Sequence, residues 1–219
     1  MGEKIRYKRT GLSFLLVVLV NMAYSQLVAW QFSLPQPSTG RETQYKATTL
    51  DKNLRKSVLT RGPAAPGVQG NSNGFSGNLI PCTTREGAQA VGAYYQFTIR
   101  AKKGNEISLL SLNSLLRRQE SSAYIYRWMY SLDGETFKAL GDEDVVVADK
   151  KNNGVRQPNI DLKRHDDLQN IPSSKTVTFR LYAWGGNKIY GSDIAFGFGK
   201  SNTQGSNVLA VYGTIEKEK

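Results

Sequence analysis

Residues 93–101 read AYYQFTIRA, and this stretch decides the fold class. Its apolar side chains recur at every second position, which places Tyr95, Phe97 and Ile99 on one face. Successive side chains of a β-strand point to opposite sides, so this alternation is typical of a strand that buries one face. Residues 93–101 therefore predict a half-buried strand.

The same period recurs elsewhere in the chain. Residues 175–184 alternate again, with Val177 and Phe179 on the inward face, and turn signals such as Asp133-Gly134 separate the segments. We count about ten short strands and no internal repeat, a pattern that predicts a sandwich or a barrel. We predict an all-β fold: a two-sheet antiparallel β-sandwich, jelly-roll-like. The Gly- and Pro-rich residues 62–81 are predicted to form one long loop.

The N-terminal residues 1–25 show the three parts of a secretory signal peptide. A basic head precedes the apolar run 12–20, and Ala23-Tyr24-Ser25 places small residues before the expected cleavage point. The apolar run is shorter than the roughly 20 residues that a membrane-spanning helix needs. We therefore predict a signal peptide at 1–25, a single sandwich domain at 26–219, secretion, and no membrane span in the mature chain.

The basic excess of the chain narrows its expected partners. The formal net charge is +11, and residues 1–25 hold four basic residues and one acidic residue, which leaves +8 for the remainder. A positive balance favours anionic partners such as acidic glycans, and it also keeps a secreted protein soluble. The basic residues occur as scattered doublets without a long run, so we expect no nucleic-acid partner.

Two aromatic side chains near the end of residues 175–184 are the first candidates for ligand contact. Tyr182 and Trp184 share the polar face with Arg180, so we expect them to face away from the core and to be exposed. Exposed aromatic rings suit the C–H faces of sugars, and basic side chains suit acidic glycans. The predicted ligand-binding residues are Tyr182, Trp184, Arg180 and Lys188.

A second aromatic row, Tyr124, Tyr126, Trp128 and Tyr130, lies on one face of another predicted strand. Aromatic residues dominate sandwich cores, so we interpret the row as a core stripe. A platform that stacks against successive sugar rings is the alternative.

The sequence offers little for metals or catalysis. The acidic clusters at 142–144 and 165–167 lack the spacing of a calcium loop, so we predict no cofactor, with a structural calcium as the remaining option. Cys82 and His165 are the single cysteine and the single histidine, too few for a zinc site. No nucleophile elbow, zinc-protease motif or phosphate-binding loop is present.

Segments along the whole chain are similar to an uncharacterised class of secreted bacterial β-sandwich modules that often precede C-terminal cell-surface sorting or anchoring signals. The matching segments are VAWQF at 28–32, ATTLD at 47–51, NL at 53–54, LTRG at 59–62, YYQFTI at 94–99, YSLDG at 130–134, TFRLYAWG at 178–185 and VLAVYGTI at 208–215. The resemblance implies a secreted, non-catalytic sandwich. The sequence ends at Lys219 without room for a sorting domain, which leaves soluble secretion or the periplasm as the expectation beside the cell surface.

Three classes of function follow from these features. We expect a secreted, non-catalytic binding module for a polysaccharide or another cell-surface ligand. A glycan-degrading hydrolase or lyase on a jelly-roll scaffold is the first alternative, and a cleft with two facing carboxylates would favour it. A structural or adhesion protein of the envelope is the second, and an unpaired edge strand would favour it.

Overall fold

Two antiparallel β-sheets packed face to face form the computed structural model, which describes residues 25–66, 71–187 and 193–218. The predicted two-sheet antiparallel sandwich is confirmed. The predicted signal peptide lies outside the described residues apart from Ser25, and Lys188 lies outside them as well. Among the described residues, no helix is both long and apolar enough to cross a membrane.

The strands and the helix follow one another along the chain as β1 Ser25–Trp30, β2 Gln44–Lys46, β3 Thr49–Leu50, β4 Val58–Arg61, β5 Phe75–Asn78, α1 Arg85–Val91, β6 Tyr94–Ile99, β7 Asn105–Arg118, β8 Ile125–Ser131, β9 Lys138–Ala139, β10 Val145–Val146, β11 Val155–Arg156, β12 Ile160–Asp161, β13 Val177–Trp184, β14 Ala195–Phe198 and β15 Leu209–Lys217. The first sheet has the order β3-β1-β15-β7-β14-β5, and β11 and β12 also pair with β7. The second has the order β10-β8-β13-β6-β4-β2, and β9 also pairs with β8.

The described residues contain fifteen strands where the sequence predicted about ten. Five strands, β3, β9, β10, β11 and β12, are only two residues long. A two-residue pair carries no periodic pattern, so it is visible only once its partner strand is in place. Strand β5 corrects the prediction for residues 62–81, because it pairs with β14 in the middle of the supposed loop.

The predicted inward faces form the core between the sheets. Tyr95, Phe97 and Ile99 of β6 are buried, and so are Val177 and Phe179 of β13. Aromatic rings from both sheets meet at the centre of this layer. The period-two alternation thus correctly identified which side of β6 and of β13 faces the other sheet.

The hairpin between β8 and β9 turns where the sequence predicted it. The Asp133 carboxylate accepts hydrogen bonds from the Ser131 hydroxyl at 2.6 Å and from the backbone N–H groups of Glu135 and Thr136, both at 2.8 Å. These bonds favour the charged form and hold the pKa of Asp133 far below its ordinary value.

The stability of this turn is expected to depend on acid pH. A folded-state pKa below the unfolded value of about 3.9 contributes stability above that pH, and the contribution is lost as the pH falls further. We expect Asp133→Asn to destabilise the protein at neutral pH and to differ less from the parent at about pH 2. Urea unfolding at pH 2 to 7 measures this.

Glu135→Gln is the matched control, because it removes a charge from the same turn and leaves the Asp133 acceptor atoms untouched. If the difference in the free energy of unfolding between Asp133→Asn and the parent stays constant over the whole pH range, the lowered pKa of Asp133 does not contribute to stability.

Candidate functional site

The predicted exposure of Tyr182 and Trp184 is wrong. Both lie on the face of β13 opposite its core-facing residues, as expected, but only 2% and 4% of their surfaces are exposed. Helix α1 packs against β13, and the rings of Tyr94 and Phe137 lie 5.4 Å and 6.4 Å from the Tyr182 ring, centroid to centroid. The sequence pattern gave the correct face but not the residues that cover it.

Arg180 is held by the same surroundings. Its guanidinium carbon lies 4.2 Å from the centre of the Tyr94 ring and 4.1 Å from that of Phe137, an arrangement that aromatic rings stabilise electrostatically. The guanidinium also donates to the Gln96 side-chain oxygen at 2.7 Å and to the Tyr182 hydroxyl at 3.0 Å. Two of its three guanidinium nitrogens, Nε and Nη1, are therefore engaged within the protein. The ligand role of Tyr182, Trp184, Arg180 and Lys188 stays a prediction.

The aromatic row on β8 is a core stripe, as interpreted. Tyr126, Trp128 and Tyr130 are each at most 2% exposed, whereas Tyr124, just before the strand, is 37% exposed. The Trp128 ring packs against Phe97 at 5.9 Å between centroids. The stripe is therefore part of the hydrophobic layer and offers no continuous platform to solvent.

A row of polar side chains crosses the outer face of the first sheet. Register pairs Asp161 of β12 with Ser111 of β7, Ser111 with Tyr212 of β15, and Tyr212 with Gln26 of β1. Directly paired residues share a face of a sheet, and neighbouring strands lie about 4.8 Å apart. These four residues, which we call the polar row, therefore extend over about 14 Å.

A β-bulge in β7 gives the polar row its orientation. Tyr212 pairs with Ser111, but the next residue of β15, Gly213, pairs with Leu109, so Leu110 is the extra residue. Leu109 and Leu112 both face the core and are fully buried. Without the bulge, Ser111 would share the buried face of Leu109, because side chains alternate along a regular strand.

The tyrosine of the polar row, Tyr212, lies beside side-chain amides. Tyr212 is half-buried, and its hydroxyl lies 3.5 Å from the Gln26 side-chain oxygen. That oxygen also accepts a hydrogen bond of 2.6 Å from the Asn207 side-chain amide. A partly exposed ring with amides beside it offers an apolar face together with donors and acceptors.

Three adjacent cavities follow the polar row. Their volumes are about 600, 440 and 330 Å³. Asn159 and Asp161 line both the first and the second, and Asn113 and Tyr212 line both the second and the third. The cavities adjoin one another at these shared residues: the second and the third lie on the outer face of the first sheet, and the first lies between β12 and strand β8 of the second sheet. We call the three adjoining cavities together the groove.

The largest of the three cavities combines aromatic and charged residues. Tyr126 and Trp128 line it, and burial raises the pKa of Tyr126 well above its ordinary value, which keeps the phenol neutral. Within the described residues, the buried Trp128 indole N–H has no hydrogen-bond acceptor. Arg164 lies between two carboxylates, 3.8 Å from Asp142 and 3.8 Å from Asp161. The cavity therefore brings together carboxylates that are 19 residues apart in the sequence.

The second predicted acidic cluster, at 165–167, serves a side-chain network. The Tyr130 hydroxyl donates to Asp167 at 2.7 Å, and Lys138 contacts the other carboxylate oxygen at 2.5 Å. Burial alone would raise the pKa of Asp167, but the bonds from Lys138 and Tyr130 outweigh it and leave the pKa lowered. No group of three or more potential metal ligands is found in the described part of the chain.

Comparison with known proteins gives limited information. No family model and no curated protein matches the sequence. Among solved structures, the chain is similar to the C-terminal domain of a chitobiase from Bacteroides fragilis, with 12% identity over 83% of this chain and 100% of that one, at a TM-score of 0.32. The functional argument therefore rests on the residues of the groove.

Proposed function

We propose that this chain is a non-catalytic module that binds a neutral polysaccharide along the groove. The observation that carries the proposal is the series of three adjoining cavities beside the polar row, two of which are lined by the half-buried Tyr212. Sugars present hydroxyl groups that both donate and accept, beside apolar C–H faces. Amide, hydroxyl and carboxylate groups around an aromatic ring match that chemistry.

The length of the groove favours a chain over a single sugar. The polar row alone spans about 14 Å across four strands, and the first cavity continues beyond its Asp161 end. The lining charges are of both signs: Lys163 and the anion Asp161 line the second cavity, and Arg156 lines the third. A ligand without net charge fits this balance.

Replacing Tyr212 with alanine is expected to weaken binding at least about tenfold, because it removes a ring face and a hydroxyl hydrogen bond, each worth about 1 kcal/mol. Affinity electrophoresis in gels that contain xylan, β-glucan, mannan or galactan measures this. Tyr124→Ala is the matched control, since Tyr124 is an exposed tyrosine that lies outside the groove.

Two outcomes would contradict the proposal. One is unchanged retention of Tyr212→Ala in every gel that retards the parent, and the other is a parent that none of the gels retards.

The same samples distinguish the binding module from a hydrolase, which is the second candidate function. The carboxylates Asp142 and Asp161 of the first cavity favour this candidate. If the parent protein releases reducing ends from a polysaccharide and the Asp161→Asn variant does not, the protein is an enzyme.

A further inference from the structure

We propose a second binding surface, separate from the groove, that takes a linear acidic polysaccharide at one end of the sandwich. Five basic residues form this surface, which we call the basic end: Lys52, Arg55, Lys56, Lys102 and Lys103. It is independent of the proposed function, because none of the five residues lines the groove.

Backbone pairing brings the two segments of the basic end together. Leu54 and Ala101 form an isolated β-bridge between the loop after β3 and the turn after β6. The Lys102 backbone N–H donates to the Asn53 carbonyl at 2.7 Å, and the Lys102 ammonium donates to the Lys52 carbonyl at 2.7 Å. Cations that are about 50 residues apart in the sequence thus share one small area.

The charges of the basic end have no internal compensation. All five side chains are exposed, and within the described residues none of them makes an ion pair. The doublet Lys150-Lys151 differs, because Lys150 pairs with Glu120 at 2.5 Å and Lys151 with Asp149 at 3.3 Å. Clustered like charges repel one another, so an anionic partner gains more at the basic end than at the paired doublet.

Acidic residues border this surface, and the Glu218 backbone N–H donates to the Gly104 carbonyl at 3.2 Å, next to Lys103. Glu106 and Glu216 face each other across β7 and β15, beyond the turn that carries Lys103. Asp51 uses a carboxylate oxygen to accept the Asn53 backbone N–H at 2.7 Å. The positive area is therefore bounded by these acidic residues.

The composition of the basic end favours a polysaccharide among the polyanions. None of its five residues is aromatic, so it lacks the platforms on which proteins stack single-stranded bases. Leu50 is the nearest exposed large apolar residue in sequence, and one such side chain does not make the apolar face that interfacial membrane binding uses. Lysine ammonium groups act as mobile point charges, which suits acidic groups spaced along a flexible sugar chain.

The test compares two double variants of equal charge change. Lys56→Gln with Lys103→Gln is expected to lower the slope of log affinity against log salt for polygalacturonate by about 2, as loss of two contacts to a polyanion does. Lys150→Gln with Lys151→Gln, near the far end of the 14-residue strand β7 and about 45 Å away, is expected to leave the slope unchanged. Binding is measured by titration from 20 to 200 mM salt.

Further arms distinguish the sources of charge and the two proposals. Titration with heparin in place of polygalacturonate compares sulfate with carboxylate groups. Binding of either polysaccharide supports the basic end if the slope of log affinity against log salt falls when Lys56 and Lys103 are replaced. Equal or tighter binding of DNA or of anionic lipid vesicles by the parent would overturn the proposal, as would an equal loss in both double variants. Tyr212→Ala is expected to keep full polygalacturonate binding, so failure of the groove and failure of the basic end give different results.

Discussion

Phe97→Ala is expected to lower the free energy of unfolding by about 4 kcal/mol. Phe97 is 1% exposed and lies where the two sheets meet. Its ring centroid is 4.9 Å from that of Trp30 in the first sheet and 5.0 Å from that of Phe179 in the second. Truncation removes a buried ring and leaves a cavity between rigid neighbours, which cannot close it without moving a whole strand.

Urea unfolding followed by tryptophan fluorescence measures this loss, because Trp30 and Trp128 both contact the ring that is removed. Phe97→Leu keeps an apolar side chain in the space and is expected to cost about half as much. A loss below about 1 kcal/mol for Phe97→Ala would show that the two sheets do not pack at this residue.

Gly197→Ala is expected to cost about 3 kcal/mol, the second-largest effect. Gly197 lies in β14 with φ at +147°, a region that side chains rarely adopt. An added Cβ would lie 2.6 Å from the Tyr95 hydroxyl and 2.7 Å from the Cα of Ser76. Tyr95 is fully buried and donates to the Phe196 carbonyl at 2.5 Å, so the hydroxyl cannot move aside without losing that bond.

The control for Gly197→Ala is Gly104→Ala. Gly104 also has a positive φ, +77°, but no atom lies within 4 Å of the added Cβ. Gly104→Ala is therefore expected to cost only the backbone strain of about 1 kcal/mol. The difference in the free energy of unfolding between the two variants isolates the contribution of the steric contact at Gly197. Equal losses in thermal unfolding would show that β14 does not approach β5 and β6 as closely as the structure has it.

The strands of the fold were predictable wherever apolar and polar residues alternate along the chain. Residues 93–101 and 175–184 alternate, and the structure places β6 and β13 there with the expected inward faces. Strand β5 was missed because its residues, FSGN, show no alternation. Its place depends on pairing with β14, which is about 120 residues away along the chain.

The candidate site was much harder to predict than the fold. Tyr182 and Trp184 were assigned to the correct face, but a helix and neighbouring rings cover that face. Tyr212 was not singled out, although it falls between the inward positions of VLAVYGTI at 208–215 and so carried a usable signal. Exposure depends on what packs over a sheet, and that information lies in distant segments.

The sequence by itself determined the all-β class, the inward faces of the long strands and the hairpin at Asp133-Gly134, because these depend on local periodicity and local backbone geometry. Only the tertiary structure decided which outward faces remain in contact with solvent. The bulge at Leu110 turns Ser111 outward, and strand register places it beside Tyr212 and Asp161. The physical reason is that burial and register arise from contacts between segments far apart in the chain, which no local pattern specifies.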